Sequence, residues 1–562
     1  MDISTHQPDN MPDQAGANLY LTDPVLESLL SAYLPDELLN HLRPYLRRLG
    51  TLVGGRLNEL ASLADKNPPQ LQVRTRTGKD EERILKHPAY IEMENHAFSD
   101  FALAAISHRQ DVLGWKGQLP PMVKYLLTYL FTQAEFSLMC PVSMTDSLSR
   151  TLKKYAPSEL IESYLPQLTS VEPDRRMQGA MFMTEQGAGS DIGATTTLAI
   201  PTGETYKIYG DKWFCSNPDA GAVMLLARIE GAIEGIKGVS LFFMPRILPD
   251  GTPNAYRIIR LKDKLGTRAM ASGEIHLEGA TAWLMGEPGR GFAQMADMVN
   301  NSRLSNGVRA AGLMRRAVSE AFYIARHRQA FGKTLIELPL MRRQLLKILL
   351  PSEQARSMIF QTAEVLKRSD KGDANAYSLL RILTPLIKFR ACRDARTVTA
   401  DAMEVRGGCG YIEEWDDARR VRESMLGSIW EGTSNIVALD VRRAIIREHS
   451  LDALQTYLDG LMTQTTMSDS LRNQFITVQQ RVFALARHAA EKEGEYLTRQ
   501  AASGLYNLVS ATAIAWEASR INMPTRLHLA ELILTHRLLA VDPLDKNLGL
   551  SAATEALLLA AG

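Results

Sequence analysis

The segment 429–435 places one carboxylate, Glu431, between a bulky Ile-Trp pair and the run Gly-Thr-Ser-Asn. Apolar surroundings disfavour the charged form of a carboxyl group and move its pKa towards the range of a general base. Taken alone, the same pattern also fits an acidic residue at the N-terminus of a helix, and the segment by itself favours this simpler interpretation.

A second candidate is the glycine-rich segment 183–191, Met-Thr-Glu-Gln-Gly-Ala-Gly-Ser-Asp, which follows an apolar stretch. Its glycines, hydroxyls and backbone N–H groups could hold a phosphate or a polar cofactor ring. The glycines at 187, 189 and 193 are one residue off the dinucleotide fingerprint, and a strand-like run follows where that fingerprint needs a helix. This pattern excludes a Rossmann domain, whereas a plain glycine-rich hairpin loop stays open.

Further segments combine residue types that bind flat or charged groups. The run 212–218, Lys-Trp-Phe-Cys-Ser-Asn-Pro, places two rings beside a hydroxyl and an amide, although aromatic residues in strands mostly pack a sheet. Segment 326–333 carries a basic cluster and a glycine, which could hold a pyrophosphate or only complement a helix C-terminus. The glycines of 407–411 could form a plain turn, and the arginines of 419–422 a solvated face.

Helices and one β region must position these segments. From about residue 20 to 178, apolar residues recur every three or four positions, which predicts amphipathic helices broken at Asn67-Pro68-Pro69 and His87-Pro88. Residues 179–285 hold short β-rich stretches too closely spaced for parallel crossovers, which predicts an antiparallel β domain. Beyond Gly291 the helical pattern returns, and Pro351 is expected to kink or end a helix.

The predicted fold class is therefore mainly α with a central antiparallel β domain. A chain of 562 residues has room for three or four domains. We predict an N-terminal helical domain at 1–178, a middle β domain at 179–285, a helical bundle at 286–450 and an additional helical domain at 451–562.

Composition excludes several classes of protein. Hydrophobic residues make up 45% and charged residues 23%, which argues against a disordered or fibrous chain. The net charge of +1 provides no global positive field for nucleic acid. The four cysteines lack metal or disulfide spacing, and neither a signal peptide nor an apolar run of membrane length is evident, so we expect a cytoplasmic protein with no metal site.

Taken together in chain order, the segments described so far resemble four separated motifs of the acyl-CoA dehydrogenase flavoprotein family, and the similarity extends from about residue 130 to 450. Five stretches also look like one subgroup of this family: MTEQGAGSD at 183–191, GDKWFCS at 210–216, LKDKLG at 261–266, MEVRGGCGY at 403–411 and SIWEGTSNI at 428–436. A longer N-terminal part and the helical segment after 450 resemble the AidB-like subgroup, the flavoproteins of the bacterial alkylation response. The resemblance implies a helical, β-barrel and helical-bundle architecture, FAD as cofactor and usually a homotetramer.

The resemblance also assigns cofactor contacts in the middle domain. It implies that Thr184 and Ser190 lie along the flavin or its phosphates, that Phe214 covers the flavin, and that Ser216 meets the flavin N5 edge. The cofactor-binding residues predicted in this domain are Met183, Thr184, Gly189, Ser190, Phe214 and Ser216.

In the helical part, Arg328 and Phe331 match an element that reaches the FAD of a neighbouring subunit. Glu404 stands on the adenosine side where the family usually has Gln, and its carboxylate can accept hydrogen bonds from ribose hydroxyls. The cofactor-binding residues predicted here are Arg328, Phe331, Glu404, Gly407, Gly408, Thr433 and Asn435.

Glu431 matches the family's catalytic base, which would remove the α-proton of an acyl thioester while hydride passes to flavin N5. The backbone N–H of this Glu and a ribityl hydroxyl would donate to the thioester carbonyl. Arg303 and Gly432 would contact substrate, with Asn300 standing where some members carry Asp. An electron-accepting flavoprotein is a further expected partner.

The AidB-like resemblance implies an alternative, a DNA-associated protein of the alkylation response with weak or secondary dehydrogenase activity. DNA binding by the additional segment would require basic charge. Residues 451–562 contain nine Lys and Arg against eleven Asp and Glu, a net charge of −2. This balance disfavours DNA as a partner, although a basic face within the segment stays open.

Overall fold

The structure, a computed structural model, describes residues 11–542, 544, 551–560 and 562. Its residue contacts divide the chain into two compact units. Unit 1 comprises the described residues of Met1–Arg56, Thr132–Ala134 and Asn306–Gly562, and unit 2 comprises Leu57–Phe131 and Glu135–Ser305. The bounds of the four predicted domains stay predictions.

The region before residue 179 is mainly helical, as predicted. Its helices are α1 Leu26–Tyr33, α2 Asp36–Gly54, α3 Arg56–Lys66, α4 Pro88–Asn95, α5 Pro121–Thr132, α6 Met139–Tyr155 and α7 Ser158–Leu168. The proline signals mark real boundaries: α3 ends just before Asn67-Pro68-Pro69, and α4 begins at Pro88. His87 caps α4 by accepting a hydrogen bond from the backbone N–H of Ala89 at 3.2 Å.

One hairpin in this region was not predicted. Strands β1, Gln70–Arg74, and β2, Asp80–Leu85, pair antiparallel around a turn in which the Thr75 N–H donates to the Lys79 carbonyl. Within unit 2, Ile84 of β2 is buried in the core of the large sheet. These strands were not predicted because they are short and largely polar and because the flanking segments have helical periodicity.

The central β region is confirmed, but its sheet is mixed rather than antiparallel. Its strands are β3 Gly179–Phe182, β4 Leu198–Thr202, β5 Thr205–Ser216, β6 Ala222–Ile229, β7 Val239–Pro245, β8 Tyr256–Leu261 and β9 Ser272–Met285. The order β6-β4-β5-β9-β7 closes into a barrel because β7 also pairs with β6. Both β3 and β4 pair parallel with β6. Parallel pairing is possible because other strands lie between the paired strands in sequence and make each connection long enough. The antiparallel prediction considered only the short spacing between adjacent stretches.

The helical pattern beyond Gly291 is also confirmed. The elements are α8 Gly291–His327, the short strands β10 Gln329–Ala330 and β11 Lys333–Thr334, α9 Pro339–Asp370, α10 Ala374–Arg406, α11 Asp416–Leu426, α12 Ser434–Glu448, α13 Ser450–Thr463, α14 Asp469–Ala490, α15 Thr498–Arg520, α16 Pro524–Ile533 and α17 Ala552–Ala560. Pro351 does not end a helix, since α9 continues through it. The flanking residues Leu350 and Ser352 are buried, so tertiary packing offsets the lost backbone hydrogen bond.

A buried network of charged side chains links distant segments inside unit 1. Glu353 on α9 accepts hydrogen bonds from Arg356 and from Arg526 of α16. Arg356 also donates to Asp23 at 2.7 Å, and Arg526 donates to Glu517 of α15. Because a buried charge is tolerated only when it is paired, these contacts hold the C-terminal helices α15 and α16 on α9.

Candidate active site

The glycine-rich segment follows β3 as a tight, exposed turn in unit 2. The backbone groups of Glu185 and Ala188 bond each other at 3.1 and 3.2 Å, while Gly189 and Ser190 are exposed. A Cβ added at Gly189 would lie 3.9 Å from the Cγ2 of Thr184. Met183 and Thr184 are partly exposed at the base of this turn. The structure therefore brings the predicted cofactor residues of this segment together around an open loop.

A buried ion pair anchors this loop. The Glu185 carboxylate accepts from Lys212 of β5 at 2.7 Å and from the hydroxyls of Thr196 and Thr197. Burial alone would raise the pKa of Glu185, but Lys212 and these hydrogen bonds outweigh it and lower the pKa to about 2. Glu185 and Lys212 lie inside the motifs at 183–191 and 210–216, but neither was predicted to have a role.

Strand β5 ends in two aromatic residues beside the loop. The backbone N–H of Trp213 donates to the Thr184 carbonyl at 2.8 Å, which ties the strand to the glycine-rich turn. The register with β9 shifts between Lys212 and Cys215, as a β-bulge does when it redirects a side chain. Phe214 is 58% exposed although it lies in a β-strand. The bulge thus turns an aromatic ring outwards, where it can cover a flat ligand.

Ser216 lies at the end of the same strand, directly opposite Ser272 of β9. Its Oγ is 3.3 Å from the Ser272 Oγ, and either hydroxyl can be the donor. Ser216 is partly exposed, whereas Ser272 is buried. Thr184, Phe214 and Ser216 therefore form one side of a candidate cofactor site within unit 2.

A second group of predicted residues lies in unit 1, where α8 ends. Phe331 and Gly332 form the turn between β10 and β11, with φ of 54° and 73°. Two consecutive residues at positive φ are typical of a type I′ hairpin turn. Phe331 at its tip is 92% exposed.

The predicted adenosine-side residues lie next to Arg328. Its Nη1 donates to the Arg406 carbonyl at 2.9 Å, at the end of α10. Gly407 follows with φ of 71° and ψ of −147°, a conformation that only glycine adopts readily. A Cβ at Gly407 would be 3.5 Å from the Arg328 guanidinium, whereas one at Gly408 would meet open space. The structure thus brings Arg328, Gly407 and Gly408 together.

Glu404 lies one turn earlier on α10. Its carboxylate accepts from the Gln344 side chain at 3.5 Å, and the same amide donates to the Asp401 carbonyl at 2.8 Å. Gln344 is therefore a neighbour of this predicted contact that sequence analysis missed.

Glu431 lies in the loop between α11 and α12, at a backbone φ of 55°. A non-glycine residue in this region costs about 1–3 kcal/mol, and such strain concentrates at functional sites. The residue lies before the N-cap of α12, Thr433, and therefore outside the first helical turn. The interpretation of Glu431 as a helix N-terminal acid is wrong, because Glu431 and Gly432 both precede the N-cap of α12.

Basic residues from three helices of unit 1, α8, α10 and α15, contact this loop. Lys388 of α10 is 1% exposed and donates to the Gly432 carbonyl. Arg393 donates to the Ser434 hydroxyl, and Arg499 of α15 donates to the Asn435 side chain, both at 3.3 Å. The Arg309 guanidinium lies 4.7 Å from the Trp430 ring centroid. The sequence offered one signal for Lys388, a lone lysine in an apolar run.

Arg303, the predicted substrate-side residue, lies on α8 within unit 2 and is partly exposed. Among the described residues, no helix is long and apolar enough to cross a membrane. Over that same part of the chain, no group of three or more His, Cys, Asp or Glu side chains could hold a metal ion. All four cysteines lie in the described ranges and are free thiols.

Comparisons with known proteins agree with these observations. Family models match at residues 9–175 (adaptive response protein AidB N-terminal domain), 180–280 (acyl-CoA dehydrogenase, middle domain) and 289–446 (acyl-CoA dehydrogenase, C-terminal domain). The chain is 33% identical over 461 residues to the putative acyl-CoA dehydrogenase AidB of Escherichia coli, covering 80% of this chain and 82% of that protein.

A second relative is known from a crystal structure. The chain is 29% identical over 468 residues to acyl-CoA dehydrogenase family member 11 of Caenorhabditis elegans, covering 80% of this chain and 75% of that protein. The crystal structure of Caenorhabditis elegans ACDH-11 in complex with C11-CoA superposes with a TM-score of 0.88 at 25% identity, covering 95% of this chain and 93% of that one. The chain belongs to the acyl-CoA dehydrogenase family of FAD-dependent oxidoreductases.

Proposed function

We propose that the protein catalyses the α,β-dehydrogenation of an acyl-CoA-type thioester, with Glu431 as the general base. The observation that carries this proposal is the strained backbone of Glu431, at φ 55°, in a loop held by the buried Lys388. Strain that the surrounding structure maintains is a mark of a functional position. The crystal structure of the ACDH-11 relative with C11-CoA supports a CoA thioester as the substrate class.

The residues present fit FAD. In unit 2, the exposed Phe214 ring beside the open turn at Gly187, where an added Cβ would meet no atom within 4 Å, suits a flat ring with a phosphate-bearing tail. We propose that Met183, Thr184, Gly189, Ser190 and Ser216 complete this part of the site.

We propose that the residues at the end of α8 and α10, in unit 1, contact the FAD of a neighbouring subunit, and that Thr433 and Asn435 are further cofactor contacts. Arg328 supplies a guanidinium, Phe331 an exposed ring, and Gly407 and Gly408 a backbone that a ligand can approach closely. When bound, FAD supplies a two-electron acceptor for the β-hydrogen of the substrate at its N5.

The chain's own part in the reaction is proton removal and polarisation. Glu431 takes the α-proton, and its backbone N–H donates to the thioester carbonyl oxygen, which acidifies that α-carbon. Lys388 positions both groups because its hydrogen bond to the Gly432 carbonyl holds the residue that follows Glu431. Arg303 and Gly432 are proposed to contact the substrate.

The variant Glu431→Gln tests this role. General-base catalysis contributes typically 10²–10⁴-fold, so thioester-dependent bleaching of the flavin under anaerobic conditions should slow by at least about 100-fold. The flavin absorbance of the purified variant should match the wild type, because the change is isosteric. A panel of thioesters of different chain length and branching would identify the substrate in the same assay.

Glu413→Gln is the matched control, since Glu413 lies just before α11 and its side chain is 55% exposed. This variant should turn over at the wild-type rate. Unchanged turnover in Glu431→Gln would refute the assignment of the base.

We further propose a cytoplasmic homotetramer that passes electrons to an acceptor flavoprotein. An exposed aromatic ring at a hairpin tip, as at Phe331, supports a contact with a neighbouring subunit. Sedimentation of the holoprotein at several concentrations tests the assembly. Dilution to a monomer with full FAD occupancy would contradict it.

The AidB-like match at residues 9–175 supports a second candidate, a DNA-associated role in which dehydrogenation is secondary. The net charge of −2 over residues 451–562 argues against this segment as the DNA contact. A gel shift at increasing salt decides between them. Binding that weakens steeply with salt would favour the DNA role.

A further inference from the structure

A buried chain of hydrogen bonds connects a lysine to Ser216 within unit 2. Lys264, in the loop between β8 and β9, donates to the Met270 carbonyl at 2.5 Å and to the Ser272 Oγ at 3.1 Å. The Ser272 Oγ is in turn 3.3 Å from the Ser216 Oγ. The strand register that sets Ser216 opposite Ser272 makes this chain continuous.

The charge of Lys264 influences which group donates in each hydrogen bond from Lys264 through Ser272 to Ser216. An ammonium group donates only, so Ser272 accepts from charged Lys264 and its own hydrogen points to Ser216. Ser216 then accepts from Ser272, and its hydrogen points onward, away from the sheet partner. A neutral amine can accept instead, which lets Ser272 and Ser216 both reverse. Charged Lys264 therefore favours Ser216 as a donor towards a ligand, and neutral Lys264 allows Ser216 to accept.

We propose that Lys264 is a positioning residue that acts through Ser272 to set whether Ser216 donates to or accepts from the N5 edge of the flavin. This inference rests on the proposed place of Ser216 at that edge. Oxidised N5 accepts a hydrogen bond, whereas N5 that has gained a hydrogen on two-electron reduction donates one. If the Lys264–Ser272–Ser216 hydrogen bonds reverse when the flavin is reduced, Lys264 must be neutral. The proton that Lys264 loses passes to solvent.

The surroundings of Lys264 suit such a titration. Burial lowers the pKa of its amino group to about 8, opposed by Cys140 on α6. Within its own loop, Arg268 donates to the Lys264 carbonyl at 3.4 Å. Lys262 is paired with Glu274 of β9, which leaves the charge of that neighbouring lysine compensated.

A purely structural lysine would behave differently. Its bond to the Met270 carbonyl could hold the loop without any influence on Ser216. Its charge could also act on the flavin through space, in which case Ser272 would be irrelevant. A substitution at Ser272 therefore distinguishes both alternatives from the proposed relay, the series of hydrogen bonds from Lys264 through Ser272 to Ser216.

The test is the midpoint potential of the bound flavin as a function of pH, measured on the holoprotein by reduction with dithionite against reference dyes. The wild type should show an inflection near pH 8, because the titration of Lys264 is linked to reduction. Ser272→Ala should remove the inflection while Lys264 keeps its charge and its Met270 bond. Ser272→Thr, which keeps the hydroxyl, should retain it.

Two lysine variants complete the design. Lys264→Arg, which stays charged at every pH used, should abolish the inflection without unfolding the loop. Lys207→Met is the matched control, because Lys207 on β5 donates to the Thr281 hydroxyl of β9 at 2.8 Å. This control should leave the potential curve unchanged.

Absence of the inflection in the wild type, or its survival in Ser272→Ala, would overturn the relay. These outcomes are independent of turnover. If Glu431→Gln retains activity, the proposed function fails while the potential curve is unaffected. If the relay fails, the thioester assay still stands.

Discussion

Replacing Glu185 by Gln tests whether the buried pair with Lys212 holds the cofactor loop. The side chains of Lys212 and Glu185 are 0% and 5% exposed, so the variant leaves a buried ammonium without its counter-ion. Breaking a buried pair in this way costs about 3–5 kcal/mol. For a unit of this size, 1 kcal/mol shifts the melting temperature by about 2–4 °C, so the melting temperature should fall by roughly 6–20 °C.

The assay is thermal unfolding of the apoprotein, followed by FAD titration at a temperature where the variant is folded. FAD affinity should fall too, because Glu185 holds Thr196 and Thr197 beside the loop. The double variant Glu185→Gln with Lys212→Met removes both charges and should regain most of the lost stability.

Glu278→Gln is the control, since its side chain is 45% exposed and lies 3.8 Å from Arg257. An exposed pair of this kind contributes about 1 kcal/mol or less. If Glu185→Gln melts within the range of this control, or the double variant is no more stable than the single one, the argument from the buried pair is refuted.

Three further predictions concern other positions. The pKa of Glu185 is lowered to about 2 from the usual 4.5, so the contribution of this carboxylate to the free energy of unfolding is complete above about pH 4.5. This contribution should be lost as the pH falls towards 2, and melting curves of Glu185→Gln should not show that loss. Phe331→Ala should change the free energy of unfolding of the isolated subunit by less than about 0.5 kcal/mol but weaken FAD retention and subunit assembly about tenfold. The control Leu340→Ala, at a side chain that is 86% exposed, should leave FAD retention and assembly unchanged. Equal sedimentation and equal FAD release in the two variants would contradict this prediction. Gly407→Ala should destabilise by about 1–3 kcal/mol and lower FAD affinity, while Gly408→Ala should be tolerated, as checked by thermal unfolding.

Much of the fold could be predicted because its signals are local. Helical periodicity and the prolines at 68, 69 and 88 predicted element types and several boundaries. Pro351 shows the limit of local signals, because buried neighbours carry α9 through a residue that usually ends a helix. The β1–β2 hairpin was missed since its one well-buried residue, Ile84, finds its partners in distant strands.

The residues of the candidate site could also be predicted from the sequence, whereas their conformations could not. Motif residues such as Phe214, Arg328 and Glu431 were identified from the chain, but their local meaning was ambiguous. The outward turn of Phe214 depends on a bulge against β9, and the strained backbone of Glu431 accompanies a bond from Lys388 to the next residue's carbonyl. Neither feature has a signal within its own segment.

The amino-acid sequence alone determined most of the element types, the family resemblance and the residues that could bind FAD or remove a proton, because these depend on side-chain chemistry and short-range periodicity. Tertiary structure decided the parallel pairings of β6, the closure of the barrel, the burial of the Glu185–Lys212 pair and the register that joins Lys264 to Ser216 through Ser272. These features require contacts between residues far apart in the chain, whose free energy depends on packing and desolvation that no single segment encodes.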